Sequence, residues 1–502
     1  MTLAIDTSRT HAPVQWVSCE QEQLHLSGKI QSHGALAVVS RANEMVTHAS
    51  TNLGEMFGVP LSALLGHAWR NTPLFPPEME QTLAAGTSPR PLTLTVARPD
   101  GEWLAVAMQV STSHVLLEWE HGVAGVEPVP VHELLRSVVR SPNFPAELDA
   151  YYQTLVGQVR RVSGMDRVMI YRFREDWTGE VVAEDQSGDY GSYMGLRFPA
   201  GDIPEIARRL YLQNPYRMIP DIEAPDHAVY GLDAQPPDLS RSDLRSVSPM
   251  HLEYLRNMGV RSSFSVPLIV GGKLWGLLAC HHYATPQWLS HDQRDACAAL
   301  ASAFSLGLSS FTAAHNLRLH DGMDRQVSRA LQSIAGVADP LAVFDIVEPH
   351  FSSLIACDGF AMVQGEDGAI QGAGPDLPGL SVVDDWFLNA SSEVVADLQS
   401  MQEMFADYPE VYQFAGGVMA VRVPMSGGRI LRLYWFRQAE NQSIAWAGSP
   451  HKPAAEDASA LRLSPRRSFE KWIEVRTGYC REWTSSERLL ATKLRGLAAQ
   501  WL

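Results

Sequence analysis

Hydrophobic positions along the chain keep two different periods, and the changes between them mark its elements. In the first stretch, ALAVV (35–39), LTLTVARPDGEWLAVAMQV (92–110) and HVLLEWE (114–120) alternate or run in short blocks. Period two predicts strands, and PDGE at 99–102 predicts a tight turn between two of them. MVTHASTNLGEMFGVPLSALLG (45–66) reads as small helices, and HGVAGVEPVP (121–130) as a linker.

The middle stretch opens with a helix from about Val131 and a longer one around Leu148–Ser163. DRVMIYRF (166–173) alternates as a half-buried strand, and GEVVAEDQS continues the sheet. FPAGDIPEIARRLYLQNP (198–215) is a turn entering a helix, and SSFSVPLIVGGKLWGLLACHHY (262–283) is two strands about a Gly-Gly turn. Apolar residues then recur at helical spacing through 291–336, a helical spine joining domains. The last stretch repeats the mixed order, with strands at FAMVQ (360–364), GVMAVRVP (417–424) and ILRLYWFR (430–437). A long excursion at 438–472 follows, of the kind that is usually functional. A closing helix covers 485–502, with Ser485 and Ser486 as candidate caps.

The 502 residues suggest about three domains. At 45% apolar the chain can build real cores, and a net charge of −16 disfavours a broad nucleic-acid footprint. Five scattered cysteines without a CxxC pair signal neither zinc nor a disulfide framework. A reducing cytoplasm fits, with no secretory leader and no membrane-spanning run.

Cys19, in WVSCEQEQLHLSGKIQSHGALAVV, is either a chance surface cysteine or a nucleophile on an extended arm. Glu20 and Glu22 give it no local activation, so a reactive thiolate would need help from elsewhere in the fold. Asp202 with Glu205 forms a capping-box-like pattern, with Pro204 in the first turn. Ile203, Ala207, Leu210 and Tyr211 then share a helical face beside Arg208, Arg209 and Arg217. Such arginines either recognise a carboxylate-bearing apolar ligand or are solvated. Arg245, His251, Tyr254, Ser263 and Ser265 follow in LRSVSPMHLEYLRNMGVRSSFSVPL (244–268). The two serines share one strand face and could hold a second carboxylate. His281 and His282 point to opposite faces and make a poor chelate.

These segments, in this order, resemble the photosensory core of the bacterial phytochromes along nearly the whole chain. CEQEQLHLSGKIQSHG resembles the bilin-attachment arm, with Ser32 where Pro is common, and FPAGDIPEIARRLY resembles the family's signature, with Gly201 where Ser usually stands. SPMHLEYLRNMGV and LWGLLACHHY are close to the family pattern, and WAGSP (446–450), SPRRSF and WIE (472–474) look like the family's hairpin tongue.

The resemblance implies an α+β chain of three mixed antiparallel-sheet and helix domains joined by long spine helices. These are an N-terminal arm and PAS domain (1–126), a chromophore-binding GAF domain (127–318) and a PHY domain (319–502) with its tongue at about 438–480. It also implies a figure-of-eight knot made by the arm. The ligand would be biliverdin, thioether-linked to Cys19, with Arg217, Arg245 and Tyr211 on one propionate and Ser263 and Ser265 on the other. His251 and the backbone carbonyl of Asp202 would face the pyrrole nitrogens, with Ile203 alongside, and His281 the D-ring carbonyl. Tyr171, Phe198 and Tyr254 would line the D-ring volume. Arg466 would pair with Asp202 in one light state, within the tongue segment that holds Ser468, and Trp446, Trp472 and Trp483 would anchor the tongue. The implied activity is a red/far-red photoswitch that signals as a homodimer through the spine to an output domain or response regulator. No catalytic or metal site, nucleic acid or membrane enters this reading, and no kinase activity is expected of the chain alone. The competing expectation is a bilin-free PAS/GAF sensor of a small ligand, or an interaction module.

Overall fold

Strand-forming segments in the N-terminal third pair with one another and with a later stretch of chain in a single sheet. The computed structural model describes residues 23–75, 79–80, 91–97, 102–122, 129–233, 235–337, 339–389, 394–450 and 469–501. Cys19, Arg466 and Ser468 lie outside the described residues. The chain divides into two units, Met1–Phe311 with Trp446–Trp472, and Thr312–Ala445 with Ile473–Leu502.

The first unit holds two sheets. One runs in the order Lys29–Gln31, Asp226–Gly231, Val46–Ser50, Gly34–Ser40, His114–His121, Trp103–Val110, Leu92–Ala97. Ala35, Ala37 and Val39 enter one core and Leu36 and Val38 another, so this strand is apolar throughout. Residues 46–50 are a strand where small helices were expected; helix begins only at Leu53. The ladder positions offered by Ala37–Val39 on one edge and Val229–Gly231 on the other outweigh the local pattern. The arm strand Lys29–Gln31 is gripped on both edges by a single stretch of chain. Ile30 pairs with His227, the Gln31 N–H donates to the Leu244 carbonyl at 2.7 Å, and the Ser246 N–H donates to the Lys29 carbonyl at 3.0 Å.

The second sheet of this unit follows the order Arg217–Ile219, Ser262–Val270, Lys273–His282, Arg167–Phe173, Gly179–Gln186, Arg197–Phe198, and Trp446 then pairs in parallel with Arg197. Gly271 and Gly272 both have positive φ, +58° and +77°, as a two-residue hairpin turn demands. Helix Leu148–Ser163 and the start of helix His291–Ile334 bury one face of the sheet, through Leu155, Val159, Leu300 and Phe304 against Val168, Phe264 and Cys280.

A buried ion cluster joins the two sheets of this unit. Arg294 meets Glu120 at 2.5 Å and Asp243 at 2.8 Å, and the Trp288 indole N–H donates to Glu120 at 2.9 Å. Burial alone would raise the Glu120 pKa, but the charges of Arg294, His291 and His33 hold it far below the usual carboxylate range.

The second unit has a five-stranded sheet in the order Asp367–Gly372, Gly359–Gln364, Ile430–Arg437, Gly417–Pro424, Val395–Leu398. Leu431, Leu433 and Trp435 face one core and Tyr434 and Phe436 the other, which is why ILRLYWFR is unbroken. The closing helix Ser485–Trp501 is capped by Thr484 rather than by Ser485 or Ser486. The Thr484 hydroxyl accepts from the Glu487 N–H at 3.2 Å, and the Glu487 carboxylate accepts from the Thr484 N–H at 2.9 Å, a reciprocal pair.

Removing the Glu120 carboxylate strands Arg294 in the interior with Asp243 as its remaining carboxylate. Glu120→Ala should cost about 3–5 kcal/mol in urea unfolding. A loss below about 1 kcal/mol, the range of an exposed pair, would show that the cluster does not hold the two sheets together.

Candidate functional site

Strand alternation sorts the second sheet of the first unit into a core face and a site face. Met218, Phe264, Val266, Leu278, Cys280, Val168 and Ile170 enter the core. The intervening positions face the other way, and register brings them together: Arg217 stands opposite Ser265, and Ser263 opposite both Ile219 and His281. His281 stands opposite Arg167 in turn, and Tyr171 lies four pairs further along. The expected Ser263–Ser265 pair therefore shares a face with Arg217 and His281. His282 turns away and lies 3.0 Å from Asp166.

Over this face lie helices Glu205–Tyr211 and Pro249–Asn257. The Tyr211 hydroxyl bonds Ser265 Oγ at 2.8 Å, so the structure groups Tyr211 with the serines. His251 and Tyr254, one helical turn apart, stack with centroids 6.1 Å apart. The Tyr254 hydroxyl donates to Asp202 Oδ2 at 3.1 Å. Asp202 is not the helix cap that its spacing to Glu205 predicts. It ends a short turn at Ala200–Asp202, and Pro204 takes the cap position with no side-chain hydrogen bond. Proline cannot donate there and its fixed φ sets up the helix, which leaves the Asp202 carboxylate for Tyr254. Ile203 is half-buried, with an extended backbone and a carbonyl that accepts from Arg208 Nη1 at 2.6 Å.

Arg217 and Arg245 carry the site's charge. Arg217 donates to the carbonyls of Asp243 at 2.5 Å, Ser246 at 3.3 Å and Arg245. Arg245 donates to those of Leu239 at 3.3 Å and Ser240 at 3.4 Å. Among the described residues neither forms an ion pair with a carboxylate; Asp243, whose charge acts on both, gives its oxygens to Arg294 and the Met218 N–H. Burial, reinforced by the like charge of Arg217, lowers the Arg245 pKa to about 9. Arg217, Tyr211 and His251 are enclosed by protein yet keep accessible surface, as side chains lining a cleft do.

Burial and then Arg217 depress His251 to about 4; burial, Arg167 and His251 depress His281 to about 3. His281 Nδ1 is buried with no hydrogen-bond partner. Tyr171 packs against Phe198 at 5.6 Å and Phe173 at 5.4 Å. A Cβ on Gly179 would sit 1.7 Å from the Tyr171 ring, so only glycine leaves that ring its place. Trp446 is buried beside the Phe198 strand, and Phe469 meets Tyr254 edge-on at 5.0 Å. Trp483 belongs to the core of the second unit and not to the tongue: its indole N–H donates to the Leu398 carbonyl at 3.0 Å. Trp472 sits at the end of the tongue segment Trp446–Trp472 of the first unit.

Three contributors escaped the sequence reading. His33, whose Nε2 is buried without a partner, lines a small cavity with Ser32, Ile219, Val247 and Leu252. Arg167, fully buried on Glu184 at 3.0 Å, stands behind His281. Phe469 is the third. A lone His, Arg or Phe carries no spacing signal; only the register of the sheet and the return of the tongue segment place them.

The site gathers two guanidiniums that form no ion pair among the described residues, two hydroxyls on one strand face, two imidazoles held neutral by burial and an aromatic end. The family models PAS fold, GAF domain and Phytochrome region match residues 19–121, 147–308 and 324–501. A bacteriophytochrome of Xanthomonas campestris is 33% identical over 97% of this chain and 78% of its own length. One from Pseudomonas aeruginosa is 33% identical over 96% and 66%. The chain therefore spans about two thirds of the Pseudomonas protein. Among solved structures, a bacteriophytochrome of the photosynthetic bacterium R. palustris aligns with TM-score 0.81 at 30% identity, covering 96% of this chain and 98% of that one. The Stigmatella aurantiaca phytochrome photosensory core module aligns at 0.80 and 30%, covering 97% and 99%. The family binds a bilin chromophore. With 33% identity across 78% of a relative and the same three domains in the same order, the chain belongs to the bacteriophytochromes and is built as their PAS-GAF-PHY photosensory core.

Proposed function

We propose that this chain binds biliverdin through a thioether to Cys19 and acts as a red/far-red photoreceptor. The observation that carries the reading is the pair Arg217 and Arg245. Arg245 is buried and Arg217 half-buried, and both donate to carbonyl oxygens with no ion-paired carboxylate among the described residues; such cations are costly unless an anion joins them, and a bilin propionate supplies one. Tyr211 joins Arg217 and Arg245 on that propionate, and Ser263 and Ser265 take the second, with Ser265 hydrogen-bonded to Tyr211. His251 and the Asp202 carbonyl face the pyrrole nitrogens, with Ile203 beside them. His281 turns a neutral ring to the D-ring carbonyl, and Tyr171, Phe198 and Tyr254 bound the D-ring.

When bound, the pigment supplies light absorption and an isomerisation beside its D-ring. The protein's part is to change partners. Asp202 is held by Tyr254, and we assign Arg466 as its partner in the alternative state. The segment carrying Arg466 and Ser468 ends in Phe469, already against Tyr254, so a shift at Tyr254 reaches the tongue between Trp446 and Trp472. A few kcal/mol of differential interaction is sufficient to move such an equilibrium. The helix His291–Ile334 passes the shift on to an output domain, which we assign as a histidine kinase acting in the cytoplasm. On this reading the chain itself is a sensor and not an enzyme, and its three domains divide near residues 126 and 318.

A homodimer accords with Val139, Phe144 and Leu306, exposed at 61%, 64% and 73%. They lie near one another: the Tyr151 hydroxyl contacts the carbonyls of Val138 and Phe304, and a Cβ on Gly307 would meet Ser141.

Co-expression with a haem oxygenase should yield a chain with red absorbance and a zinc-enhanced fluorescent band on a denaturing gel. Cys19→Ser should keep pigment and lose the band. A chain without red absorbance would favour the bilin-free sensor, and a covalent Cys19→Ser product would refute the attachment site.

The histidines give a pH test on the apoprotein. Unfolded, His251 and His281 take up protons near pH 6.5; folded, they resist until about 4 and about 3. Acidification therefore favours the unfolded chain, and stability falls as pH drops from 6.5 toward those values. His281→Gln should flatten that fall by about 1.4 kcal/mol per pH unit between about pH 6 and 4. An unchanged slope would contradict a buried neutral His281.

A further inference from the structure

Trp177 is one of two non-glycine residues with positive φ among the described residues, at +63°. It closes the turn between strands Arg167–Phe173 and Gly179–Gln186. The Arg174 N–H donates to the Thr178 carbonyl at 2.8 Å, and the Trp177 N–H donates to the Arg174 carbonyl at 3.0 Å. Glycine is the residue such a position favours, and a bulky ring there is an outlier that calls for a reason. Burial does not supply one, because the side chain is 44% exposed.

Its contacts do. The Arg208 guanidinium lies over the Trp177 ring, 4.4 Å from its centroid. The same guanidinium donates to the Ile203 carbonyl at 2.6 Å. The neighbouring Glu205 carboxylate accepts a hydrogen bond from Arg209 at 2.5 Å and acts on Arg208 through its charge. The other edge of Trp177 meets Phe173 at 5.8 Å, and Phe173 meets Tyr171 at 5.4 Å. One strained ring at the surface thus reaches two sides of the site through one neighbour each, the Ile203 carbonyl through Arg208 and the Tyr171 ring through Phe173. Residues that break a local rule are expected where function has set the choice.

We infer that Trp177 and Arg208 form a positioning pair that fixes the Asp202–Ile203 backbone and the Tyr171 wall against the rotating end of the bilin. Neither residue touches the reacting bond. The inference rests on the bilin reading above and adds two residues to it. Trp177 clamps the guanidinium, the guanidinium fixes the plane of the peptide after Ile203, and the carbonyl of Asp202, one peptide earlier, is held at its place beside the pigment.

The test uses biliverdin-loaded protein carrying Trp177→Gly, Trp177→Tyr or Arg208→Met. Glycine removes the ring and the backbone strain together, so Trp177→Gly should melt at or above the wild-type temperature. Its photoconversion quantum yield should nevertheless fall roughly threefold or more, with a broadened red band, because a loosely held site loses rate before stability. Arg208→Met should show the same spectral change, and the double variant should be no worse than either single one. Trp177→Tyr, which keeps a ring under the guanidinium, should recover most of the yield. Wild-type yield and band shape in both Trp177→Gly and Arg208→Met, or additive losses in the double variant, would overturn the pairing while leaving the bilin reading intact. A wild-type chain that takes up no bilin would overturn both.

Discussion

Two guanidiniums, Arg245 buried and Arg217 half-buried, with no ion-paired carboxylate among the described residues, are the constraint on which the site depends. Arg217 and Arg245 draw on the carbonyls of residues 239–246, so that loop must be held in a single conformation. Three elements hold it. The Gln31 side chain on the arm donates to the carbonyls of Met218, Asp243 and Arg245. Glu118 accepts from the Ser242 hydroxyl and the N–H groups of Asp243 and Leu244. Arg294 takes the Asp243 carboxylate. The arm, the first sheet and the helix that begins at His291 thus share one purpose, to keep a positively charged cleft from collapsing or from neutralising itself. An interior like this gives up stability in the empty protein and recovers it when an anion enters.

The same sheet keeps its two tasks apart by alternation alone. Phe264, Val266, Leu278 and Cys280 pack the core, while Ser263, Ser265 and His281 face the cleft. A one-residue slip would exchange them and destroy both. The Gly271–Gly272 turn together with the bulge between Leu268 and Ile269 sets that register.

Much of this was legible in the chain. The helix Leu148–Ser163, the strands Gly417–Pro424 and Ile430–Arg437 and the Gly-Gly hairpin follow from period and turn chemistry, which act locally. Asp226–Gly231 went unread and Val46–Ser50 was misread because each is a strand by virtue of partners far away in sequence. Asp202 illustrates the limit in a single residue. Its spacing to Glu205 is that of a cap, but Tyr254, fifty-two residues on, claims the carboxylate. Thr484 outcompetes Ser485 and Ser486 because Glu487 stands three residues after it. His33, Arg167 and Phe469 had no signal at all, since each acts through a neighbour that only folding provides.

The account turns on charge, so the most direct measurement compares biliverdin with its dimethyl ester, which keeps the conjugated system and loses both carboxylates. The free acid should assemble with the apoprotein into a sharp red-absorbing form that converts reversibly under red and far-red light. The ester should bind far more weakly, by roughly two orders of magnitude, since it leaves Arg217 and Arg245 without an anion. Equal affinity and equal photoconversion for the two pigments would contradict the claim that these guanidiniums select the ligand.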